Sequence, residues 1–306
     1  NRDETGHWNQ APGQELANGC HDKSCNGIDD DGNGFVDDVM GWDFVNDVAL
    51  PYDTHGHGTH IAGIIAGEAA NGIGMTGICP KVSVMPLKYY DASGIGYNNL
   101  QNTVRAIQYA VKMGASIINY SGGGSEPALA ERMAIEEARG KGILFIAAAG
   151  NDGHNNDSQP YYPASYPLDN IVSVASINRQ HQLLPSSNFG KSVQIAAPGL
   201  AILSSLPGGR FGMMSGTSQA TAFVSGTAAL MASQMLSRGY AFDSQKVKRW
   251  INTGARPMKG NENKVLLSAG ILSLPGSLKA EQEDESRTKP NSAIAVAPGL
   301  KSKRSR

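Results

Sequence analysis

Apolar runs and amphipathic segments alternate along the chain from about residue 82 onward. Short apolar runs rich in β-branched residues are typical of buried strands. The predicted strands are residues 82–90, 116–121, 143–150, 171–176 and 193–198. Apolar residues at helical spacing predict helices over residues 98–113, 126–140, 218–236 and 244–253. This alternation indicates an α/β fold in three layers, with helices on both faces of a mostly parallel central sheet.

Two of these helices carry more detailed signals. The stripe predicted for the buried face of helix 98–113 consists of Leu100, Val104, Ile107 and Val111. In helix 126–140, Ser125 is the predicted N-cap and Pro127 occupies the first turn. Functional sites of α/β folds lie at the carboxyl ends of the strands, where residues 121–124 and 150–153 follow two predicted strands.

Length and composition indicate a globular protein. The chain has 306 residues, of which 40% are hydrophobic and 17% charged, enough for a large core. A net charge of −1 gives no electrostatic basis for binding nucleic acid or an anionic membrane. No apolar stretch approaches the roughly 20 residues that span a bilayer. Charge rises and apolar content falls near residue 277, which predicts a folded domain over 1–276 and a disordered tail over 277–306.

The cysteines suggest an oxidising compartment. Cys20 and Cys25 lie in a polar loop and are interpreted as a disulfide, so we expect a secreted protein, extracellular or periplasmic. The same spacing occurs in metal knuckles, but no second Cys/His pair lies nearby to complete four ligands. Cys79 precedes an apolar run and is interpreted as a buried small hydrophobe. The sequence leaves the oligomeric state undetermined.

Residues 26–38 (NGIDDDGNGFVDD) resemble the start of a calcium-binding loop. The candidate ligands are Asp29, Asp31, Asn33, Phe35 and Asp37. Alternate oxygen-bearing groups would point inward, and Gly34 permits the sharp turn. Met40 occupies the position of the bidentate glutamate of an EF-hand, so the loop is EF-like at most. The alternative is an acidic turn without an ion, although five aspartates in ten residues would then repel one another.

Residues 53–68 (DTHGHGTHIAGIIAGE) hold three of the seven histidines. Small and apolar residues over 61–66 predict a tightly packed helix that begins near His57. His57 and His60 are three residues apart, so a metal-binding pair is geometrically conceivable. The stretch contains no HExxH glutamate, and the neighbours are small residues rather than carboxylates. One imidazole acting as a base, beside a packed structural histidine, fits better.

Residues 211–230 (FGMMSGTSQATAFVSGTAAL) join a small hydroxyl cluster to a helical apolar run. This junction places Ser218 at or near a helix N-terminus, where free N–H groups and the helix dipole favour developing negative charge. On spacing alone, an N-capping serine is the simpler interpretation. The alternative is a nucleophile, which requires a base within reach.

Three motifs, HGTHIAG (57–63), AAAGNDG (147–153) and SGTSQATAFVSG (215–226), together resemble the subtilisin-like serine peptidases, or subtilases. The likeness extends from about residue 26 to 275. It implies the subtilisin-like three-layer fold. It also implies a serine endopeptidase that cleaves polypeptide substrates through an acyl-enzyme, with no cofactor for catalysis.

The resemblance also implies individual roles. His57 would be the general base, Ser218 the nucleophile and Asn151 a donor to the oxyanion. Edge segments 93–97 and 121–124 would pair with an extended substrate. The implied substrate-binding residues are Gly94, Ile95, Gly96, Ser121, Gly122 and Gly123.

Several positions depart from the family pattern. Gln219 stands where a methionine usually follows the nucleophile, and Ala222 stands in place of a proline. Gly122 replaces a bulkier apolar residue of the substrate cleft, where the family expectation is a large apolar substrate side chain. These changes leave a catalytically inactive subtilase-like binding module as an alternative. A metallohydrolase that uses His55, His57 and His60 is a second alternative.

The acidic member of the triad has no counterpart in the chain. Subtilases carry it on an early apolar strand ending in Asp-Ser/Thr-Gly, and no such run is present. Asp43 and Asp53 align with non-catalytic positions of the family. Because the chain begins with Asn1 rather than Met, we expect a processed or incomplete chain that starts after that strand. Without the acid, kcat should fall about 10⁴-fold, and exposed strand edges should weaken the fold.

Overall fold

The computed structural model describes residues 27–90, 99–258 and 270–288. Its helices are α1 (His57–Ala66), α2 (Asn99–Lys112), α3 (Leu129–Gly140), α4 (Thr217–Ser237), α5 (Ser244–Thr253) and α6 (Leu274–Thr288). Its strands are β1 (Trp42–Asp43), β2 (Leu87–Lys88), β3 (Ile117–Tyr120), β4 (Leu144–Ala148), β5 (Ile171–Ile177), β6 (Ile195–Pro198), β7 (Ile202–Leu206), β8 (Arg210–Met214), β9 (Arg256–Pro257) and β10 (Gly270–Ile271). The predicted Cys20–Cys25 disulfide and the substrate residues Gly94, Ile95 and Gly96 lie outside the described residues.

The central sheet has the strand order β3-β4-β5-β6-β10-β9. Its neighbouring strands are parallel except for the antiparallel pair β9–β10. Alternate residues of β4 enter two different cores. Leu144 and Ile146 belong to the core that includes α4 and α5 residues, whereas Phe145 and Ala147 pack with residues of α2 and α3. The predicted α/β fold with helices on both faces of a mostly parallel sheet is therefore confirmed. None of the described helices combines the length and hydrophobicity needed to cross a membrane.

Most predicted strands are present, but two regions differ. Of the predicted strand 82–90, the structure assigns only Leu87–Lys88, which pairs with β1 outside the central sheet. The hairpin β7–β8 was not predicted. Its turn contains Gly208 and Gly209, both with positive φ of 77° and 70°. Two consecutive glycines of this kind suit the tight turns of hairpins, so the sequence did contain a signal for it.

Helices α2 and α3 are present as predicted, but the buried face of α2 and the N-cap of α3 differ from the predictions. In α2, Leu100 is 49% exposed, while Thr103 and Ala106 are buried, so the buried face is rotated from the predicted stripe. The predicted N-cap of α3, Ser125, is wrong because the helix begins after Ala128, which makes no side-chain capping bond. The Tyr166 hydroxyl instead accepts the Ala128 N–H at 2.8 Å. Tyr166, which is distant in sequence, thus accepts a hydrogen bond from the backbone N–H at the start of α3.

The chain remains helical over 277–288, where disorder was predicted to begin. Buried Glu281 pairs with Arg238 across 3.2 Å, and Asp284 accepts the Trp250 indole N–H at 3.1 Å. The charges that suggested a solvated tail are therefore partners in a packed helix, and the prediction is wrong for these residues. The rest of the predicted tail, 289–306, lies outside the described part of the chain. Cys79 is buried as predicted.

Replacing Gly276 by alanine is expected to destabilise the fold. A Cβ atom on Gly276 would overlap the Gly254 carbonyl oxygen where α6 crosses the end of α5. We expect Gly276→Ala to lower the free energy of unfolding by about 1–3 kcal/mol, measured by urea denaturation. The control is Gly140→Ala, where no atom lies within 4 Å of the new Cβ and a gain of about 0.5–1 kcal/mol is expected. Equal losses in both variants would contradict the close helix crossing.

Candidate active site

Adjacent parallel strands β3 and β4 end at the same edge of the sheet, beside the N-terminus of α4. The Ser218 Oγ donates to the Ser121 carbonyl oxygen at 3.0 Å. The Ser121 Oγ donates to the Ser218 carbonyl oxygen at 3.1 Å. These reciprocal bonds hold the first turn of α4 against the end of β3.

Ser218 is the second residue of α4 and does not cap it. Gly216 is the N-cap, and no side chain makes a capping bond there, so the N-capping interpretation of Ser218 is wrong. The first four N–H groups of a helix have no acceptor within the helix. The Ser218 N–H therefore lies beside its own hydroxyl as a donor for a negatively charged oxygen.

Asn151 reaches the same helix end from the loop after β4. Its Oδ1 accepts the Thr217 N–H at 2.8 Å and the Thr217 hydroxyl at 3.1 Å. A main-chain N–H can only donate, so the carboxamide oxygen must face Thr217. This arrangement turns Nδ2 away from Thr217, and no acceptor among the described residues is hydrogen-bonded to it. The Asn151 carboxamide is thus held at the helix end that carries Ser218, through its oxygen and the neighbouring Thr217.

Asn188 holds the loop that carries Asn151, and sequence reasoning missed it. Asn188 is 1% exposed, and its Oδ1 accepts the N–H groups of Asp152 and His154 at 2.9 and 3.1 Å. Its own N–H donates to the carbonyl of Gly150 at 3.0 Å. The sequence signal was weak, because an asparagine among SSNFG is typical of an ordinary turn.

His57 is the first residue of α1, as the sequence predicted. Asp53 accepts the N–H groups of Gly56 and Thr59 at 2.7 and 2.8 Å, which fixes the start of the helix. Gly56 adopts φ 94° in the turn before it, a conformation that glycine adopts without strain. Because the Asp53 carboxylate accepts these backbone groups, it acts as a structural cap.

The packing of α1 on α4 places His57 and Ser218 at the same end of the helix pair. Ile61 of α1 and Ala222 of α4 share one hydrophobic cluster. Further along both helices, the Ile78 N–H donates a hydrogen bond to the carbonyl of Ile64 in α1. The Ile78 side chain lies against Gly226 of α4. The two helices therefore run in the same direction. His57 and Ser218 each lie four residues, about one turn, before Ile61 and Ala222, the members of this shared cluster.

The surroundings of His57 favour the neutral imidazole. Burial lowers the pKa of His57, and the neighbouring His55 and His60 lower it further, while Asp53 has the opposite effect. Within the described residues, the His57 ring makes no hydrogen bond, so its nitrogen lone pair is not used by a donor there. A neutral imidazole at neutral pH can accept a proton.

Among the described histidines, none forms a three-residue metal site with His57. The Nε2 of fully buried His60 lies 3.0 Å from the Ile202 carbonyl and 3.2 Å from the Gly212 carbonyl, so His60 is a packed structural residue. In residues 27–90, 99–258 and 270–288, no three His, Cys, Asp or Glu side chains are grouped to hold a metal ion. This finding argues against the metallohydrolase alternative.

Residues 16–274 match the sequence profile of the Subtilase family. The chain belongs to this family. It is 39% identical over 196 residues to the thermophilic serine proteinase of Bacillus sp. (strain AK1), covering 64% of this chain and 47% of that protein. Identity to thermitase of Thermoactinomyces vulgaris is also 39% over 196 residues, covering 64% and 68%. The subtilase chain thus spans about half the length of the Bacillus relative.

Solved structures agree with this assignment. The prenylagaramide maturation protease PagA superposes with a TM-score of 0.64 at 34% identity, covering 76% of this chain and 84% of that chain. The patellamide maturation protease PatA gives 0.65 at 33% identity, covering 74% and 84%. The predicted subtilisin-like fold is confirmed.

Asp43 and Asp53, which were not assigned as the triad acid, have structural partners in this subtilase. Asp43 forms an ion pair with Lys88 at 2.8 Å and accepts the Asn46 amide. Asp53 caps α1. Across the part of the chain that the structure describes, no carboxylate is hydrogen-bonded to His57, so neither aspartate occupies the position of the triad acid.

The acidic loop near the start is folded on its own backbone. Asp29 accepts the N–H groups of Asn33 and Gly34 at 2.9 and 2.7 Å, and Asp37 accepts the Gly27 N–H. The Phe35 ring packs edge-on against aromatic neighbours. Asp31 accepts the same Asn33 N–H at 3.0 Å, so the carboxylates of Asp29 and Asp31 meet at one backbone donor. Calcium binding by this loop stays a prediction of the sequence.

The glycines after β3 lie against tyrosine rings. A Cβ atom on Gly122 would overlap the Tyr89 hydroxyl, and one on Gly123 would lie 2.5 Å from the Tyr161 ring. The Tyr89 ring is stacked on Tyr120 with 5.4 Å between centroids. The loss of the bulky apolar residue at position 122 is thus explained by the tyrosine that occupies its space.

Proposed function

We propose that this subtilase is a serine endopeptidase that hydrolyses peptide bonds of polypeptides through an acyl-enzyme, with Ser218 as nucleophile. The observation that carries the proposal is the Thr217–Asn151 contact. This contact fixes the carboxamide oxygen on Thr217, so we infer that the Nδ2 donor faces the oxyanion that forms at Ser218. Pre-aimed donors of this kind stabilise the oxyanion of acyl transfer. The family and its relatives support the same class of reaction.

The proposed reaction starts with the neutral His57 imidazole. His57 takes the Ser218 Oγ proton as Oγ attacks the substrate carbonyl carbon, and the hydroxyl leaves its bond to the Ser121 carbonyl. Asn151 Nδ2 and the Ser218 N–H donate to the resulting oxyanion. The intermediate collapses, and the C–N bond breaks as the leaving amine takes the proton from His57. Water, deprotonated by His57, then attacks the ester carbonyl, and His57 returns the proton to Ser218 Oγ as the C–O bond breaks, which leaves the product carboxylic acid to ionise.

The substrate backbone is proposed to lie along the segment after β3. Ser121, Gly122 and Gly123 follow β3, which is an edge strand of the sheet formed by the described residues, and an extended peptide can add main-chain hydrogen bonds there. Extracellular or periplasmic location is part of the proposal and rests on Cys20 and Cys25 alone.

One observation favours the inactive binding module as a second candidate. The Ser218 hydroxyl donates to the Ser121 carbonyl, whereas a primed nucleophile donates to its base. Gln219, next in the helix, is buried at 2% exposure and changes the polarity beside the hydroxyl. Such a module would bind peptides in the same cleft without cleaving them.

A fluorophosphonate probe distinguishes these candidates. We expect the full-length protein that contains this chain to carry the probe on Ser218, identified by peptide mass spectrometry. Ser218→Ala should abolish labelling, and Ser237→Ala, at the exposed far end of the same helix, should retain it. An intact fold without any labelling would contradict the peptidase and favour the binding module.

The pH dependence of kcat/KM is expected to report His57. The base must be unprotonated, so activity falls as pH drops through its pKa. Because burial and the neighbouring histidines lower that pKa, the acid limb should lie below the usual histidine value. His55→Gln removes one of those neighbours, so the pKa rises and the limb moves to higher pH. The control, His181→Gln, alters an exposed histidine, and an equal shift there would refute the local effect.

A further inference from the structure

The Tyr161 ring fills the space between the two segments that flank Ser218. A Cβ atom on Gly123, after β3, would lie 2.5 Å from Cε1 of this ring. A Cβ atom on Gly150, after β4, would lie 2.9 Å from its Cγ. The Gly123 Cβ atom would also lie 3.0 Å from Cζ, which is at the opposite end of the ring from Cγ. The ring therefore spans from one strand end to the next, directly against both glycine backbones.

The backbone around Tyr161 is fixed on both sides. Tyr162 and Gly124 exchange two main-chain hydrogen bonds of 2.7 and 2.9 Å. The Tyr161 N–H donates to the Ser165 Oγ at 3.1 Å, and its carbonyl accepts the Ser165 N–H at 2.9 Å. The backbone that carries the half-buried ring is thus fixed on both sides, and the ring forms a wall between the two strand ends. Burial also raises the pKa of Tyr161, with smaller effects from Asp152 and Glu131, so the wall is uncharged at neutral pH.

The proposed reaction determines which part of a substrate meets this wall. The attacked carbonyl carbon must lie at Ser218 Oγ with its oxygen toward Asn151, on the β4 side. The preceding main chain follows Ser121–Gly123, on the β3 side. The side chain of the residue that supplies the carbonyl then projects between the two segments, into the space that Tyr161 occupies.

We propose that Tyr161 restricts the substrate residue on the acyl side of the scissile bond to glycine, alanine or serine. The proposal rests on the proposed peptidase function and reverses the family expectation of a large apolar side chain at this position. Tyr161 is thus a specificity-determining residue. A larger side chain would require the ring to move away from Gly123 and Gly150, against the backbone contacts that hold it.

Hydrolysis of matched substrates tests the proposal. Tetrapeptide anilides that differ only in an alanine or phenylalanine before the anilide are compared by kcat/KM, with the full-length protein. We expect a preference for alanine of about 100-fold or more. Tyr161→Ala should lower this ratio about 100-fold, while Tyr161→Phe, which keeps the ring, should leave it unchanged. Tyr161→Leu, which keeps an apolar contact with the glycines, replaces Tyr161→Ala if the latter does not fold.

A binding measurement separates the specificity from the chemistry. Tetrapeptides with a free carboxylate, ending in alanine or phenylalanine, are titrated calorimetrically into the Ser218→Ala protein. The alanine peptide should bind about 10-fold or more tightly, and adding Tyr161→Ala should remove the difference. Tyr240→Ala, which removes an exposed tyrosine beyond α4, is the matched control and should change neither ratio.

The possible results decide between the two proposals. If neither anilide is hydrolysed but the alanine peptide still binds more tightly than the phenylalanine peptide, the peptidase proposal is contradicted and the role of Tyr161 is supported. Equal cleavage of both anilides, or a ratio insensitive to Tyr161→Ala, would overturn the role of Tyr161 and leave the peptidase standing. Neither cleavage nor binding of any peptide would overturn both.

Discussion

Replacing His57 by alanine is expected to lower kcat of the full-length protein about 10⁶-fold, with little change in KM. The magnitude is the one known for subtilisin, which belongs to the same family. Without the imidazole, no group takes the Ser218 proton during attack. Because substrate binding does not use the ring, the loss should appear in kcat. Burst and steady-state kinetics with an ester and an anilide measure it.

A double variant makes this result specific. His57→Ala combined with Ser218→Ala should lose no more activity than either single variant, because the two residues act as a unit. Additive losses would show that they work independently and would contradict the proposed pairing. The melting temperature of each variant shows that the fold is retained.

Replacing Asn151 by alanine is expected to lower kcat about 10²–10³-fold, or about 2.7–4 kcal/mol in the barrier. Alanine removes the Nδ2 donor that is proposed to meet the oxyanion. The oxyanion exists only after attack, so KM should hardly change. Stopped-flow acylation rates with a reactive ester measure the step directly.

Two companion variants separate this donor from the loop that carries it. Asn151→Asp keeps an oxygen that accepts the Thr217 N–H but has no donor, so it should lose at least as much activity. Asn188→Ala removes a buried side chain that accepts two backbone N–H groups, so it should lower thermal stability together with activity. Full activity in Asn151→Asp would exclude the donor role.

The layers of the fold were predictable from the sequence because they depend on local patterns. The apolar runs of β4 and β5 and the helical stripe of α4 are contiguous signals, and the structure contains all three. The region 277–288 was not predictable, since charged residues such as Glu281 indicate solvation unless the position of Arg238 is known. The start of α3 depends in the same way on Tyr166, 38 residues distant from Ala128.

The residues of the candidate site also divide into those that local motifs predict and those whose roles depend on distant contacts. His57, Ser218 and Asn151 were proposed from motifs whose spacing is local, and the packing of α1 on α4 brings the first two to one end. Asn188 and Tyr161 lie in segments without a motif. Their roles follow from which loops meet at the sheet edge, and no pattern in the chain states that.

The contact between Asn151 and Thr217 has a consequence for how the site tolerates sequence change. The shorter of its two bonds comes from the peptide N–H of Thr217, which every residue except proline supplies. The orientation of the Asn151 carboxamide is thus set by a main-chain group. Replacing Thr217 by a residue that has no hydroxyl, other than proline, removes the hydroxyl bond but keeps the N–H that orients the carboxamide.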